Sequence, residues 1–132
     1  IVGLALSKKP DTALAKAAIE DAINRKKPDT TKLLIHSDQG TQYTSKMFDT
    51  YCKNLKIIRS MSRRGNCWDN AVIERFFRNL KTERLNQLTF INHEAVSAEV
   101  ESYIYFYNYK RLNSAIDYKV PHQKFIELSK VA

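Results

Sequence analysis

Two acids and two bases stand at chemically suggestive spacings in this chain of 132 residues. Asp38 ends the run KLLIHSD, whose apolar part reads as a parallel strand buried on both faces, and opens the polar stretch QGTQYTS. α/β sheets place ligands beyond the carboxyl ends of their strands, so a carboxylate there is suited to ligand binding. Glu74, Arg78 and Lys81 recur at i, i+4 and i+7, which puts one acid and two bases on one helix face. A neighbouring apolar stripe holds Ile73, Phe76, Phe77 and Leu80. Between Asp38 and Glu74 lie 35 residues. Each feature has an ordinary reading as well: Asp-Gln-Gly is a common turn, and Glu74–Arg78 is an i, i+4 ion pair worth roughly 0.2–0.5 kcal/mol.

The elements that must position these residues follow from patterning. IVGLALS reads as a strand, and Asp11 as the N-cap of an Ala-rich helix over TALAKAAIEDAINRK. After the strand that ends at Asp38, Thr44 or Ser45 can cap a helix over KMFDTYCKNL, with Met47, Tyr51 and Leu55 along one face. KIIRSM reads as a short edge strand and SRRGNCWDN as a loop. Asp69 or Asn70 can cap a long helix to about Leu88, and Asn92 another from about His93 to Tyr109, with Val96, Val100, Tyr103, Ile104 and Tyr107 on one face. A short helix should follow Pro121. The order βαβαβαα suggests an α/β layer structure.

Lys and Arg number 22 against 14 Asp and Glu, a net charge of +8, which favours a polyanionic partner such as nucleic acid. Part of the excess is local: Lys53, Lys56, Arg59, Arg63 and Arg64 lie between Tyr51 and Trp68 without an acid. A solvated basic surface is the plain alternative. Cys52 and Cys67 form no CxxC pair and fit a reducing compartment. No apolar run approaches the length of a membrane span, and the first residues have no signal-peptide pattern.

The segments HSDQGTQYTS, SMSRRGNCWDNAVIERFFRNLKTE and YNYKRLNSAIDYKVP, spanning His36 to Pro121, resemble the DDE transposases of bacterial insertion sequences of the IS-three type, whose catalytic core is related to retroviral integrases. The resemblance implies a ribonuclease H-like α/β fold. It also implies an Asp, Asp, Glu set that holds Mg²⁺ or Mn²⁺, with 35 residues between the last two acids and a Lys or Arg seven residues after the Glu. Position by position, Asp38 is then the second acid, Glu74 the third and Lys81 the base. Two hard cations about 3.5–4 Å apart take oxygen ligands and assist an in-line phosphoryl displacement, which is why the family needs carboxylates.

On this reading Lys81 and Arg78 grip phosphate beside the acids, and Arg63 and Arg64 hold DNA backbone nearby. Trp68 either stacks on a base or plugs its loop. Gln39 and Tyr43, with Gly40 and Gln42, touch the backbone near Asp38 or simply form a tight turn. His36 is a structural strand residue, and Asn108 and Arg111 take packing or hydrogen-bonding roles. Asn113 and Asp117 stand where the family often has His and Gly.

The family carries its first Asp on the first strand of the sheet, whereas IVGLALS resembles the third. The chain is therefore expected to be the carboxyl-terminal part of a core, lacking the first two strands and the first acid. Residues 1 to about 110 would be core and 111–132 a tail. It should be inactive alone and act as part of a transposase that cuts transposon ends and joins their 3′-hydroxyls to target DNA. The expected partners are double-stranded DNA and further copies of the chain, in a bacterial cytoplasm at the nucleoid, with no membrane. A rival reading is a truncated, catalytically inactive DNA-binding remnant that uses Arg63, Arg64, Arg78 and Lys81 only to hold phosphate.

Overall fold

The computed structural model describes residues 1–63 and 67–130. Its elements in chain order are α1 (Thr12–Lys26), β1 (Leu34–Ser37), α2 (Thr41–Thr44), α3 (Lys46–Asn54), β2 (Ile58–Met61), α4 (Ala71–Glu83), α5 (His93–Tyr109) and α6 (Pro121–Ser129). The chain groups into two compact units, one of Val2–Glu74 and one of Ile1 with the residues from Arg75 onward.

In the first unit, Asp11 caps α1 by accepting from the Leu14 amide at 2.9 Å, and Lys27 ends it in the left-handed region at φ 47°. Ser45 caps α3 through the Phe48 amide at 3.2 Å. β1 and β2 pair in parallel from Leu34↔Ile58 to Ser37↔Met61, which requires the crossover that α2 and α3 provide. Phe48, Cys52 and Ile57 form the buried centre, against Ala15, Ile19 and Ile23 of α1 and Leu33 and Ile35 beside it. Burying each large apolar side chain contributes about 1.5–3 kcal/mol. Cys52 is a free thiol used here as a small hydrophobe, and burial raises its pKa.

Several expectations need correction. Residues 1–7 form no strand, because among the described residues no neighbouring strand pairs with them. The Leu4 amide is satisfied instead by the Asp21 carboxylate at 2.8 Å, and Gly3 lies so close to α1 that a β-carbon would collide with the Ala18 carbonyl. β1 is not buried on both faces: Ile35 and Ser37 point inward, while Leu34 is 58% exposed and His36 is exposed. A two-strand sheet with helices against one face covers only alternate residues. In α3 the buried face is one residue round from the expected one, on Phe48 and Cys52, which leaves Met47 58% exposed.

In the second unit, Phe76 and Leu80 of α4 and Val100 and Tyr103 of α5 are buried. The Phe76 ring meets Tyr107 edge-on, centroids 5.0 Å apart. Ile73 and Phe77, expected in α4's buried stripe, are exposed at its margins. α4 stops at Glu83 rather than near Leu88; Arg84 leaves helical geometry, and Leu85–Gln87 is a single 3₁₀ turn whose Gln87 side chain donates to the Thr82 carbonyl at 3.1 Å. α5 has the expected bounds and its Asn92 cap, which accepts from Ala95 at 2.8 Å. Pro121 opens α6 at a position where no amide is needed.

Candidate active site

Asp38 is exposed and follows β1 directly. Its Oδ1 accepts from the Gly40 amide at 2.8 Å, an Asx turn that aims the chain into α2. A β-carbon on Gly40 would lie 2.9 Å from that same oxygen and closer still to the Gln42 side-chain amide, so the turn is tightly packed around this glycine. The Gln39 side chain donates to the Ser62 carbonyl at 3.1 Å and thereby ties the exit of β1 to the exit of β2. Tyr43 is half-buried with its ring edge-on to Phe48 at 5.4 Å. Burial and then the Asp38 charge raise its hydroxyl pKa, so it stays a neutral phenol beside the carboxylate.

Glu74 lies in the first turn of α4, exposed, with Arg78 one turn on and exposed Lys81 in the last turn. The ion pairs among the described residues of this half of the chain are Arg84–Glu99, Arg111–Glu83, Lys119–Glu127 and Lys124–Asp117, and the Glu74–Arg78 pair that the spacing allows is not among them. Arg63 is exposed just beyond β2. Arg64 lies outside the described residues. Trp68 is 83% exposed in a 3₁₀ turn over Cys67–Asn70, so its ring is not a buried plug.

Among the described residues no three His, Cys, Asp or Glu side chains are grouped to hold a metal. Asp38 and Glu74 are two exposed carboxylates of the first unit, and oxygen donors of this kind are the chemistry that suits a hard divalent cation. His36 takes the structural role expected of it, with Nδ1 2.9 Å from the Ser60 hydroxyl across the strand pair.

Two groups escaped the sequence reading. Ser62 is 4% exposed and touches the segments on both sides of the pair: its amide donates to the Ser37 carbonyl at 2.9 Å, and its Oγ accepts from Asn70 Nδ2 at 3.2 Å. A lone loop serine carries no periodic signal. At the far end of α4, Glu83 accepts from Arg111 Nε and Nη2 and from the Tyr103 hydroxyl. The RFFRNLKTE run offered no hint that its last acid would have so many partners. Asn108 and Arg111 have the hydrogen-bonding roles expected; the Asn108 amide pairs with both the N and the O of Ile1, at 2.6 and 2.8 Å.

Two family models described as Integrase core domain match the chain, one over residues 1–67 and the other over 55–121. The chain belongs to the integrase core domain family. Its relatives include the transposase for insertion sequence element IS904 of Lactococcus lactis subsp. lactis (strain IL1403), 36% identical over 92% of this chain and 48% of that protein. Another is transposase InsF for insertion sequence IS3A of Escherichia coli (strain K12), 35% identical over 79% of this chain and 36% of that protein. This integrase core segment thus spans about half the length of those relatives or less. In fold it is similar to the catalytic core domain of BIV integrase, with a TM-score of 0.69 at 24% identity over 96% of this chain and 78% of that one. A simian T-cell lymphotropic virus intasome in complex with PP2A regulatory subunit B56 gamma gives 0.66 at 19% identity, covering 81% and 37%. The fold is accordingly ribonuclease H-like, represented in the described residues by one parallel strand pair and its helices. Among those residues no helix is long and apolar enough to cross a membrane.

Proposed function

We propose that this chain supplies the second and third acids of a transposase that cuts transposon-end DNA and joins the 3′-hydroxyl to target DNA. The observation that carries the reading is the placement of Asp38 at the carboxyl end of β1 and Glu74 in the first turn of α4, within one compact unit. Both carboxylates are exposed, and two bases follow Glu74 along the same helix.

Asp38 and Glu74 are the residues to hold Mg²⁺ or Mn²⁺, with further oxygen ligands from elsewhere in the parent protein. When bound, the cations supply Lewis-acid stabilisation of the charge that builds on the phosphoryl oxygens. The protein's own groups bind and orient. Lys81 and Arg78 hold non-bridging phosphate oxygens, Arg63 and Arg64 hold backbone near the acids, and Gln39, Tyr43 and Trp68 line the DNA path. In each step an oxygen, first of water and then of the freed 3′-hydroxyl, bonds to phosphorus as a 3′-oxygen leaves. No covalent protein intermediate is needed. Exposed apolar residues such as Leu34, Ile58 and Ile73 favour association with further protein, including copies of this chain. The setting is the bacterial cytoplasm at the nucleoid.

The test is strand cleavage of end-bearing DNA by the full-length transposase containing this sequence. Asp38→Asn and Glu74→Gln should each lower cleavage at least about 100-fold, since losing even an outer partner of a metal ligand costs roughly 10- to 100-fold. DNA binding should persist. Unchanged cleavage by either variant rejects the assignment.

A further inference from the structure

We propose that Ser62 is a positioning residue that sets the spacing between the two acid-bearing segments. The inference rests on the reading of Asp38 and Glu74 as metal-holding residues. Ser62 bonds to the residues on both sides of Asp38: its amide donates to the Ser37 carbonyl at 2.9 Å, and its carbonyl accepts from Gln39 Nε2 at 3.1 Å. The first of these extends the parallel ladder one step past the last strand pair, Ser37↔Met61. Asp38 is therefore flanked by two anchors on a single residue.

The third bond runs the other way. Ser62 Oγ accepts from Asn70 Nδ2 at 3.2 Å, and Asn70 immediately precedes α4, four residues before Glu74. One nearly buried serine thus links the backbone around Asp38 to the helix start that carries Glu74. A hydroxyl is the group this position requires: it is small enough for a 4% exposed site and accepts a hydrogen bond at a fixed place. Alanine would leave the Asn70 amide without that acceptor and free the residues that lead to Glu74 from the end of β2. Misplacing a ligand by a fraction of an ångström weakens a metal site without unfolding the protein.

The experiment measures Mn²⁺ affinity of the full-length transposase by electron paramagnetic resonance, together with its melting temperature. Variants are Ser62→Ala, Asn70→Ala, the double variant and Ser62→Thr. The expected result is a rise of about tenfold in the Mn²⁺ Kd for each alanine variant. The double variant should be no worse than Ser62→Ala, which already removes the Asn70 bond together with the longer Ser62 Oγ bond to the Ser37 carbonyl at 3.5 Å. Ser62→Thr, which keeps the hydroxyl, should restore affinity. A purely structural serine would lower the melting temperature and leave the Kd where it was. If Ser62→Ala fails to fold, the half-buried Asn70→Ala still decides. Unchanged Mn²⁺ affinity in Asn70→Ala, while Glu74→Gln abolishes binding, overturns this inference alone. Glu74→Gln that binds Mn²⁺ as before overturns the metal reading and this inference with it.

Discussion

Arg111 closes on Glu83 through two nitrogens, Nε at 2.9 Å to one carboxylate oxygen and Nη2 at 2.6 Å to the other, while the Tyr103 hydroxyl adds a third donor at 2.8 Å. The guanidinium also lies over the Tyr107 ring at 5.7 Å. α4, the helix that carries Glu74, Arg78 and Lys81, is therefore fastened at its last residue to α5 and to the residue two past α5's end. Charge-assisted, two-point bonding of this kind is stronger than a simple surface pair. Arg111→Ala should destabilise the protein by about 1.5–3 kcal/mol, the range for a hydrogen bond to a charged group. Arg111→Lys should recover only part of the loss, since an ammonium cannot make the planar fork. Chemical denaturation of the three proteins checks this; a full recovery by lysine would show that charge alone matters.

The same network predicts a pH window. Hydrogen bonds from Arg111 and, secondarily, Tyr103 hold the Glu83 carboxyl below its ordinary value. The stabilisation from a depressed carboxylate is fully present above the unfolded pKa, near about 4.3 for Glu. It is lost as pH falls through the lower, folded value. Melting temperature should therefore drop as pH is lowered below about 4, and Glu83→Gln should flatten that part of the curve while lowering stability at neutral pH. Parallel curves for the two proteins would reject the assignment.

What the sequence made legible and what it hid divide along physical lines. α5 was readable to its ends because a capping Asn92 precedes an apolar face of regular helical period. The exit of β1 at Asp38 was readable because an apolar run meets a turn dipeptide. The buried face of α3 lies one residue from where periodicity alone puts it, since Met47 and Phe48 have similar hydropathy and only packing against Ile57 decides which one turns inward. Residues 1–7 have strand composition, but a strand is a pairing, and the described structure gives them α1 as a neighbour instead. Ser62 could not be found at all, because its three partners lie 25, 23 and 8 positions away in sequence and share no pattern with it.

Asp117 offers a test of local strain. It sits at φ 59°, ψ 38°, the left-handed region, and ends the short turn over Ser114–Ile116. Asp tolerates that conformation better than most residues, yet glycine has no β-carbon to strain. Its ion pair to Lys124, at 3.7 Å, is long and well exposed on the Asp117 side, and so is worth little. Asp117→Gly should accordingly stabilise by roughly 0.5 kcal/mol, after the added freedom of the unfolded chain is subtracted. Asp117→Ala should cost about 1 kcal/mol. Thermal unfolding that ranks Ala above Gly would contradict the backbone argument.

The basic residues along and before α4 make a different, electrostatic prediction. Arg63, Arg78 and Lys81 are exposed, and none of the ion pairs among the described residues of this region includes them. Cations already neutralised by a neighbouring acid would release few counterions from DNA, whereas uncommitted ones release nearly one each. In the full-length transposase, replacing any one of the three by alanine should therefore weaken binding to all duplex sequences alike. It should also reduce the slope of log affinity against log salt by about 0.9 for each phosphate that the variant no longer neutralises. Lys53→Ala serves as the comparison, because Lys53 is held 2.7 Å from Asp49 on α3 and should leave the slope nearly unchanged. If Lys53→Ala and Lys81→Ala lower the slope equally, the cations act as a diffuse positive surface and no phosphate seat lies beside Glu74.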